Sequence, residues 1–458
     1  MSSKDNNQAS HTKLMEKIVS LCKRRGFIFQ SSEIYGGLNG SWDYGPMGVE
    51  LKRNLKDYWW RKNVREREDI VGMDGSILMN RRVWQASGHE KTFTDPLVDC
   101  RTCKARHRAD QLPEKKGEKY CPKCGGRDLT EARMFNLMFK TFVGASEDEN
   151  SITYLRPETA QAMFVQFKNV METSRQKLPF GIAQIGKAFR NEINPRNFTF
   201  RSREFEQMEI EYFCRPEQGK ELLEYWLKER LKFYEEIGLS REKLHVLDVP
   251  ADERAHYSQG TYDIEFEFPF GIQELEGVAY RTDYDLAKHQ EHSGKPLEVF
   301  DEETKEKFIP HVVEPSAGVD RTALAILCSA FDEETVTNDK GKEETRTVMR
   351  FHPRVAPIKC GVFPLLKNRP ELVAKAREVV ALLQPHMTVF YDEGGAIGRR
   401  YRRQDEVGTP FGITIDFETL GERGDELADT VTLRERDSMK QERVSIDKLL
   451  DVIGPQLR

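Results

Sequence analysis

The sequence predicts an α+β chain: a largely antiparallel body flanked by helices, a small cysteine knuckle inserted into it, and a compact C-terminal α/β domain. Three observations predict it. Runs between residues 180 and 270 alternate apolar and acidic residues at period two, as in Met208, Ile210 and Tyr212 or Ile264, Phe266 and Phe268. Residues 95–130 hold two CxxC pairs, a Lys/Glu/Gly turn and little apolar content. Beyond residue 353, short strands alternate with helical stretches (KCGVFPLL, PELVAKAREVVALL, TVFYDE, FGITIDFE), the pattern of an αβ layer with its own core.

Each element follows in order. A first helix is expected from about His11 to Arg25, with Leu14, Ile18, Leu21 and Cys22 on one face and Gly26 as C-cap. After the turn-forming YGGLNGSWDYG, Pro46 opens a second helix carrying Val49, Leu55, Tyr58 and Trp59. Its Tyr58, Trp59 and Trp60 are more aromatic surface than a small helix hides alone, which suggests an interface with a second copy. A helix near Pro157 places Ala160, Met163, Phe164 and Phe167 in one stripe. Phe180 to Tyr212 reads as two strands joined by a loop from Asn194 to Ser202. A charged helix near 218–237 reads as a solvated amphipathic surface, and Tyr262 to Phe270 as a half-buried strand. After Ala330 the chain turns charged and turn-rich (DEETVTNDKGKEETR), a boundary ending near Pro353. The expected division is 1–94, a knuckle at 95–130, a core at 131–350 and a last domain at 351–458.

Bulk properties narrow the class. A length of 458 residues suggests about three domains. With 38% hydrophobic and 32% charged residues the chain reads as globular and soluble. No run approaches the roughly 18 apolar residues of a membrane span, and the polar start lacks a secretory signal. A cytoplasmic protein with no membrane partner is the expectation. The net charge of −5 means that any grip on RNA rests on local basic patches. Of eight cysteines, Cys22, Cys214, Cys328 and Cys360 are scattered and four form the CxxC pairs, which in a cytosolic chain points to metal rather than disulfides. Cys100, Cys103, Cys121 and Cys124 have the spacing of a structural four-thiolate zinc knuckle. The alternative is a knuckle that has lost its metal; a catalytic zinc would lack an open position.

The chemistry concentrates in AFRNEINPRNFTFRSREFEQMEIEYF, residues 188–213. As strand residues, Arg190 and Glu192 would share a face. On the following strand Met208, Ile210 and Tyr212 face one way, and Phe205, Gln207, Glu209 and Glu211 the other. Alternation alone fits a solvated outer face. Arg190, Arg201 and Arg203 crowded beside the acids, with Phe205 among them, point elsewhere. A guanidinium fork suits phosphate, a ring suits a purine and a carboxylate accepts from an amino group. Together they describe an ATP site without a phosphate loop, and no GxxxxGKS or GxxxxGKT occurs.

FRNE followed by a loop and FRSREFEQMEIEYF closely resembles motif 2 of the class II aminoacyl-tRNA synthetases, in the wording of the bacterial homodimeric glycyl enzymes. GVDRTALAIL, residues 318–327, resembles motif 3, and DYGPMGVELKRNLKDYWW resembles motif 1, whose helix and proline (Pro46) build the dimer interface. LRPETAQAMF and EPSAGVDR are further glycyl-type wording; SAGVDR has alanine where many relatives show glycine. The resemblance runs over nearly the whole chain, with an anticodon-binding domain from VAPIKCGVFPL onward.

The resemblance implies a class II antiparallel sheet flanked by helices and a glycine–tRNA ligase activity. ATP and Mg²⁺ would be used, with tRNA(Gly) and glycine as partners and a homodimer as the assembly. It implies that Arg190 holds the α-phosphate and the glycine carboxylate, that Glu192 meets the adenine amino group, and that Phe205 and Arg321 sandwich the purine. Arg201 and Arg203 lie near the outer phosphates, and Glu274, Leu275 and Glu276 line the Mg²⁺ side. Asn191, Phe200, Ser202, Glu204, Gly318, Val319 and Asp320 complete the implied ATP site. Glycine would sit among Glu158, Glu209, Glu314 and Ser316, with Arg108 close by and Phe205, Glu206, Gln207, Met208, Pro315, Ala317 and Gly318 around it. Carboxylates around a buried ammonium are what the charge of glycine requires. Every competing amino acid is larger, so a tight pocket excludes them by clash and no editing domain is needed.

Weaker signals remain. Arg399, Arg400, Arg402 and Arg403 form either a solvated face or an RNA phosphate contact. His89, His107 and His256 have no evident partners in sequence and read as structural. Rival readings are the same fold acting on threonine, proline or serine, a non-catalytic relative, and a zinc-knuckle nucleic-acid binder. Retention of Arg190, Glu192 and Arg321 argues against the second; the third leaves FRNE and GVDR unexplained.

Overall fold

The computed structural model describes residues 3–255, 257–302, 304–337 and 341–457, with side chains from residue 12 onward; His256 lies outside the described residues. Seven strands form the central sheet: β1 (Ile70–Gly72), β2 (Phe180–Phe189), β3 (Glu204–Cys214), β4 (Leu244–Asp248), β5 (Gly260–Phe268), β6 (Gly271–Thr282) and β7 (His311–Gly318). Their spatial order is β4-β5-β6-β7-β3-β2-β1, and only the β2–β1 pair is parallel.

One face of the sheet is mainly apolar, broken by Glu206 and Glu276, each paired with a cation from the covering helices. Met208 and Ile210 of β3, Ile264 and Phe266 of β5 and Val278 of β6 pack with three helices: α2 (Pro46–Trp60), α4 (Gly219–Glu236) and α6 (Val319–Ala330). Fully burying a large side chain such as Trp226 or Phe233 of α4 is worth about 1.5–3 kcal/mol, so this layer holds the body together. The other face is divided. At one end Phe213 of β3 and Phe180 and Ile182 of β2 are covered by α3 (Ala160–Ser174) and α5 (Tyr284–Ser293), through Phe164, Phe167 and Leu286. At the other end the face turns polar and stays open.

Several elements differ from expectation. The first helix, α1, begins earlier, at Ser3, and ends at Arg25 with Gly26 in the left-handed region. The charged helix α4 is no solvated surface, since it buries Leu223, Trp226, Leu227, Phe233 and Tyr234 against the sheet. In α2, Tyr58 stacks on Phe233 (ring centroids 5.9 Å apart) and Trp59 is 1% exposed, so aromatic surface anticipated for a second copy is taken up inside this chain. Strand β2 stops at Phe189, which leaves Arg190 and Glu192 in the following loop, where the Glu192 amide donates to the Arg190 carbonyl at 2.7 Å. Pro157 to Thr159 stay outside α3 because their carbonyls serve side chains: Pro157 accepts from Arg190 Nε (3.0 Å) and Thr159 from Gln184 Nε2 (3.0 Å).

The charged stretch after Ala330 forms a hairpin, β8 (Phe331–Thr337) and β9 (Glu343–Met349), in which Phe331 pairs with Met349 and Thr335 with Thr345. Beyond it lies a second sheet of β10 (Cys360–Pro364), β11 (Val389–Tyr391), β12 (Phe411–Ile415), β13 (Thr430–Glu435) and β14 (Gln441–Ser445), in the order β11-β10-β12-β13-β14. The first three neighbours are parallel and the last two antiparallel. Leu372, Val379 and Leu383 of α7 (Pro370–Leu383) and Leu449 and Ile453 of α9 (Leu449–Leu457) fill its core, while α8 (Ile397–Val407) lies between them in sequence. No helix among the described residues is long and apolar enough to cross a membrane.

Candidate active site

Period-two alternation builds the site. The polar end of the sheet presents Phe205, Gln207 and Glu209 from β3, Thr261 and Asp263 from β5, Gly277, Ala279 and Arg281 from β6, and Glu314, Ser316 and Gly318 from β7. With the loop after β2 and the first turn of α6 they enclose a cavity of about 360 Å³. Its two ends carry opposite charge.

Guanidinium groups gather at one end. Arg190 lies over the Phe205 ring (5.3 Å) and the Phe93 ring (5.4 Å), anchored by its bond to Pro157. Arg321, in the first turn of α6, stacks on Phe200 at 4.6 Å and pairs with Glu274 at 3.3 Å. Arg201 Nη1 stands 3.8 Å from Glu192, whose Oε2 is buried without a hydrogen-bond partner. Arg321 first of all holds Glu274 below the usual carboxylate range. Asp263 rises to about 7, through burial and then through Glu274 and Glu265.

Carboxylates crowd the other end. Glu158, ahead of α3, meets His89 Nε2 at 3.2 Å and accepts from Gln161 Nε2 at 3.0 Å. Burial raises its pKa, but His89 and Arg281 outweigh that and hold it well below the usual range. Glu209 accepts from Ser316 Oγ (2.7 Å) and from the Thr159 hydroxyl. Glu314 takes both oxygens to Arg281 Nη1 at 2.9 Å, while the same guanidinium grips Asp285 through Nε (2.8 Å) and Nη2 (2.9 Å). Burial still pushes Glu314 up to about 8; Arg281 opposes this, and Glu209 and Glu158 add to it. Glu211, wholly buried behind them, has no hydrogen-bond partner on either oxygen and rises well above the usual range through burial and Glu314.

Of the other residues singled out in sequence, some line the cavity, Asp320 among them, and others lie off it. Glu206 points opposite to Gln207 and binds Lys52 (2.7 Å) and Lys56 (2.8 Å). Asp320 accepts from Lys52 (2.9 Å), the Tyr44 hydroxyl (2.6 Å) and the Glu206 amide (2.7 Å). Glu276 is buried against Arg230 of α4 at 2.7 Å. Met208, Pro315, Ala317 and Val319 are buried off the cavity, whereas Leu275, Ser202 and Gly318 line it. Arg203 bonds the carbonyls of Asn39 and Glu192, Glu204 pairs with Lys187, and the Asn191 amide donates to the Leu137 carbonyl. Arg108 is held by Asp95 and Asp110, each at 2.7 Å. In α8, Arg400 is buried against the carbonyls of Pro364 and Gly395, Arg402 pairs with Glu344 and Arg403 with Asp392, leaving Arg399 exposed. His89, read from sequence as structural, instead meets Glu158 in the cavity wall, and Glu211 keeps the strand face expected for it; Gln161, Arg281 and Asp285 were not singled out in sequence.

The four cysteines converge. Their sulfurs all lie within 4.8 Å of one another, with Cys100–Cys124 at 3.6 Å and Cys103–Cys121 at 3.7 Å. His107 Nε2 sits 3.2 Å from the Cys121 sulfur. Strands at Thr94–Asp99, Arg106–Arg108 and Arg133–Asn136 carry this knuckle.

Residues 140–330 match the tRNA synthetase class II core domain (G, H, P, S and T), and residues 359–455 match the anticodon binding domain. A glycine–tRNA ligase of Treponema denticola is 52% identical over 98% of both chains. Those of Thermobifida fusca (51%, covering 98% of this chain and 99% of its own) and Clostridium perfringens (52%, covering 97% and 99%) are as similar. The chain belongs to the glycine–tRNA ligase family of class II synthetases. Membership is consistent with the absence of a phosphate loop from the sequence.

Lys52, 8% exposed between Glu206 and Asp320, generates a prediction. Lys52→Met leaves the buried Asp320 without its cation and Glu206 with Lys56 alone, and should lower stability by about 3 kcal/mol in chemical unfolding at pH 7. Burial raises the Glu206 pKa, but Lys52 and Lys56 depress it overall, so its contribution exists above the unfolded value of 4.5 and disappears on acidification. The gap between wild type and variant should therefore narrow below about pH 4.5; a constant gap would contradict the assignment.

Proposed function

We infer that this chain activates glycine with ATP and passes the glycyl group to the 3′ end of tRNA(Gly), releasing AMP and pyrophosphate. One observation carries the reading: a single cavity holds guanidinium groups at one end and carboxylates at the other, the charges of a nucleotide and of an amino-acid ammonium. The glycine carboxylate attacks the α-phosphorus, and the terminal ribose hydroxyl then takes the glycyl group from the adenylate. Neither step needs a protein nucleophile; positioning and charge neutralisation suffice.

In this reading Arg190 spans the α-phosphate and the glycine carboxylate, and Arg321 and Arg201 take the outer phosphates. Phe205 and Arg321 hold the purine, with Glu192 at its amino group. Glu158, Glu209, Glu314 and Ser316 receive the ammonium. Glu206 and Glu276 act one layer back, on the helix-covered face of the sheet, and Asp320 in the cavity wall is held by Lys52. Glu274, beside Asp263, is the cavity-facing acid suited to a magnesium ion, which would neutralise phosphate charge. Arg399 is the exposed α8 cation available to RNA phosphate. A cytoplasmic homodimer joined near α2, and the expected domain division, belong to the same reading; sedimentation at micromolar concentration should give a dimer, and a monomer would remove that part.

The cysteines fit zinc. Tetrahedral Zn–S bonds of about 2.3 Å put sulfurs about 3.8 Å apart, close to the spacings at Cys100–Cys124 and Cys103–Cys121. Elemental analysis of chelator-free protein should give about one zinc per chain, and finding four freely titrating thiols would refute it.

ATP–pyrophosphate exchange across the amino acids should respond to glycine alone. Arg190→Ala should abolish that exchange with the fold retained, and near-normal exchange would overturn the site. Glu314→Gln should raise the glycine KM by one to two orders of magnitude, about 1.5–3 kcal/mol for a charged hydrogen bond, with the ATP KM nearly unchanged. Because Glu314 ionises near pH 8, the wild-type glycine KM should fall as pH rises from 6 toward 8. The variant should lose that slope, and parallel shifts in both constants would misplace the pocket.

A further inference from the structure

The C-terminal domain is bound to the body by more than a linker. Arg346 of β9 has no exposed side-chain surface, yet it reaches across to α8. Its Nε donates to Asp405 at 2.9 Å, its Nη2 to the Arg436 carbonyl at 2.6 Å, and its Nη1 to Glu334 of β8. Asp405, 1% exposed, also receives Arg434 of β13 through Nη1 at 3.0 Å. Arg436 closes the seam, donating to the carbonyls of Phe351 (2.9 Å) and Gly408 (2.8 Å). At the rim Arg25 of α1 pairs with Glu406. The connecting residues are held as well: Asn54 of α2 donates to the Ala356 carbonyl (2.9 Å) and Arg354 to the Glu236 carbonyl (2.7 Å).

The hairpin is also continuous with the cavity. β8 begins where α6 ends, and α6 carries Arg321 in its first turn. Twelve helical residues make a strut of about 18 Å between the cavity and the hairpin that grips α8.

We propose that the Arg346–Asp405–Arg434 cluster positions the RNA partner, fixing the C-terminal domain so that an RNA held there presents its 3′ end to the cavity. These three are positioning residues for transfer and not for activation. The proposal rests on the tRNA-charging reading above. Physically, two reactants gripped by separate domains meet at an effective concentration set by how stiffly the domains are joined. Glycine and ATP both bind inside one domain, so activation is indifferent to that stiffness.

Asp405→Asn keeps the shape but leaves Arg346 and Arg434 buried without their shared anion, which weakens the dock. Glycine-dependent exchange should stay within about twofold of wild type, while kcat/KM for tRNA charging falls about tenfold or more. Two further measurements cover a variant that fails to fold. Glu406→Gln, which removes the charge that Arg24 and Arg25 meet at the rim, should slow charging about threefold with exchange unchanged. The triple variant Arg346→Met, Asp405→Leu, Arg434→Met replaces the charges by apolar contact and should restore charging to within about threefold. Parallel loss of exchange and charging, or normal charging in Asp405→Asn or Glu406→Gln, would overturn the proposal, as would a triple variant no better than Asp405→Asn. Absence of glycine-dependent exchange in the wild type would instead overturn the functional reading.

Discussion

The Asp320 carboxylate is the tie on which the guanidinium end of the cavity depends. It binds Lys52 of α2, Tyr44 just ahead of that helix, and the Glu206 amide of β3, all from positions remote in sequence. It sits one residue before Arg321, so the direction of that guanidinium is set by contacts to three other segments. A buried carboxylate with a cation and two further donors is fully engaged and does not wander. The same lysine neutralises Glu206. The outward-facing residues of the site strand thereby become the anchor for its inward-facing ones.

Opposite charge at the two ends of one cavity also explains why the surroundings are so elaborate. Arg281 serves Glu314 and Asp285 at once, and Gln161 links Asp285 to Glu158 while taking His289 at 2.8 Å. Several carboxylates packed this closely repel one another, and one arginine does not cancel them. The carboxylate end therefore stores repulsion that a cation placed among these acids would relieve. A small cation gains most from that arrangement, because it can approach every acid together.

Much of this was legible in the residues alone. Alternation in β3 separated Met208, Ile210 and Tyr212 from Phe205, Gln207 and Glu209, and the fold keeps that division. The α3 stripe is likewise buried at all four expected positions. Local pattern failed where distant partners decide. Arg190 and Glu192 left strand geometry because Pro157 and the loop claim them, and α4 looked solvated because its charges outnumber the residues it buries. His89 is defined by Glu158 from a distant segment, and the Arg281–Asp285 pair, only four residues apart, joins the site through Glu314 and Gln161. The charged stretch after Ala330 looked like a linker because nothing in it reveals that Arg346 would meet Asp405.

The strict alternation of β3 has a consequence for how such a chain can change over generations. Deleting one residue within β3 would carry Glu206, Met208 and Ile210 to the cavity and drive Gln207, Glu209 and Glu211 into the apolar layer. Every such slip destroys the binding surface and the hydrophobic layer together, so no intermediate of partial function lies along that route. Changes of length are absorbed far more readily by surface loops away from the cavity than by the strand. Within the strand, substitution is the sole path by which the site can drift.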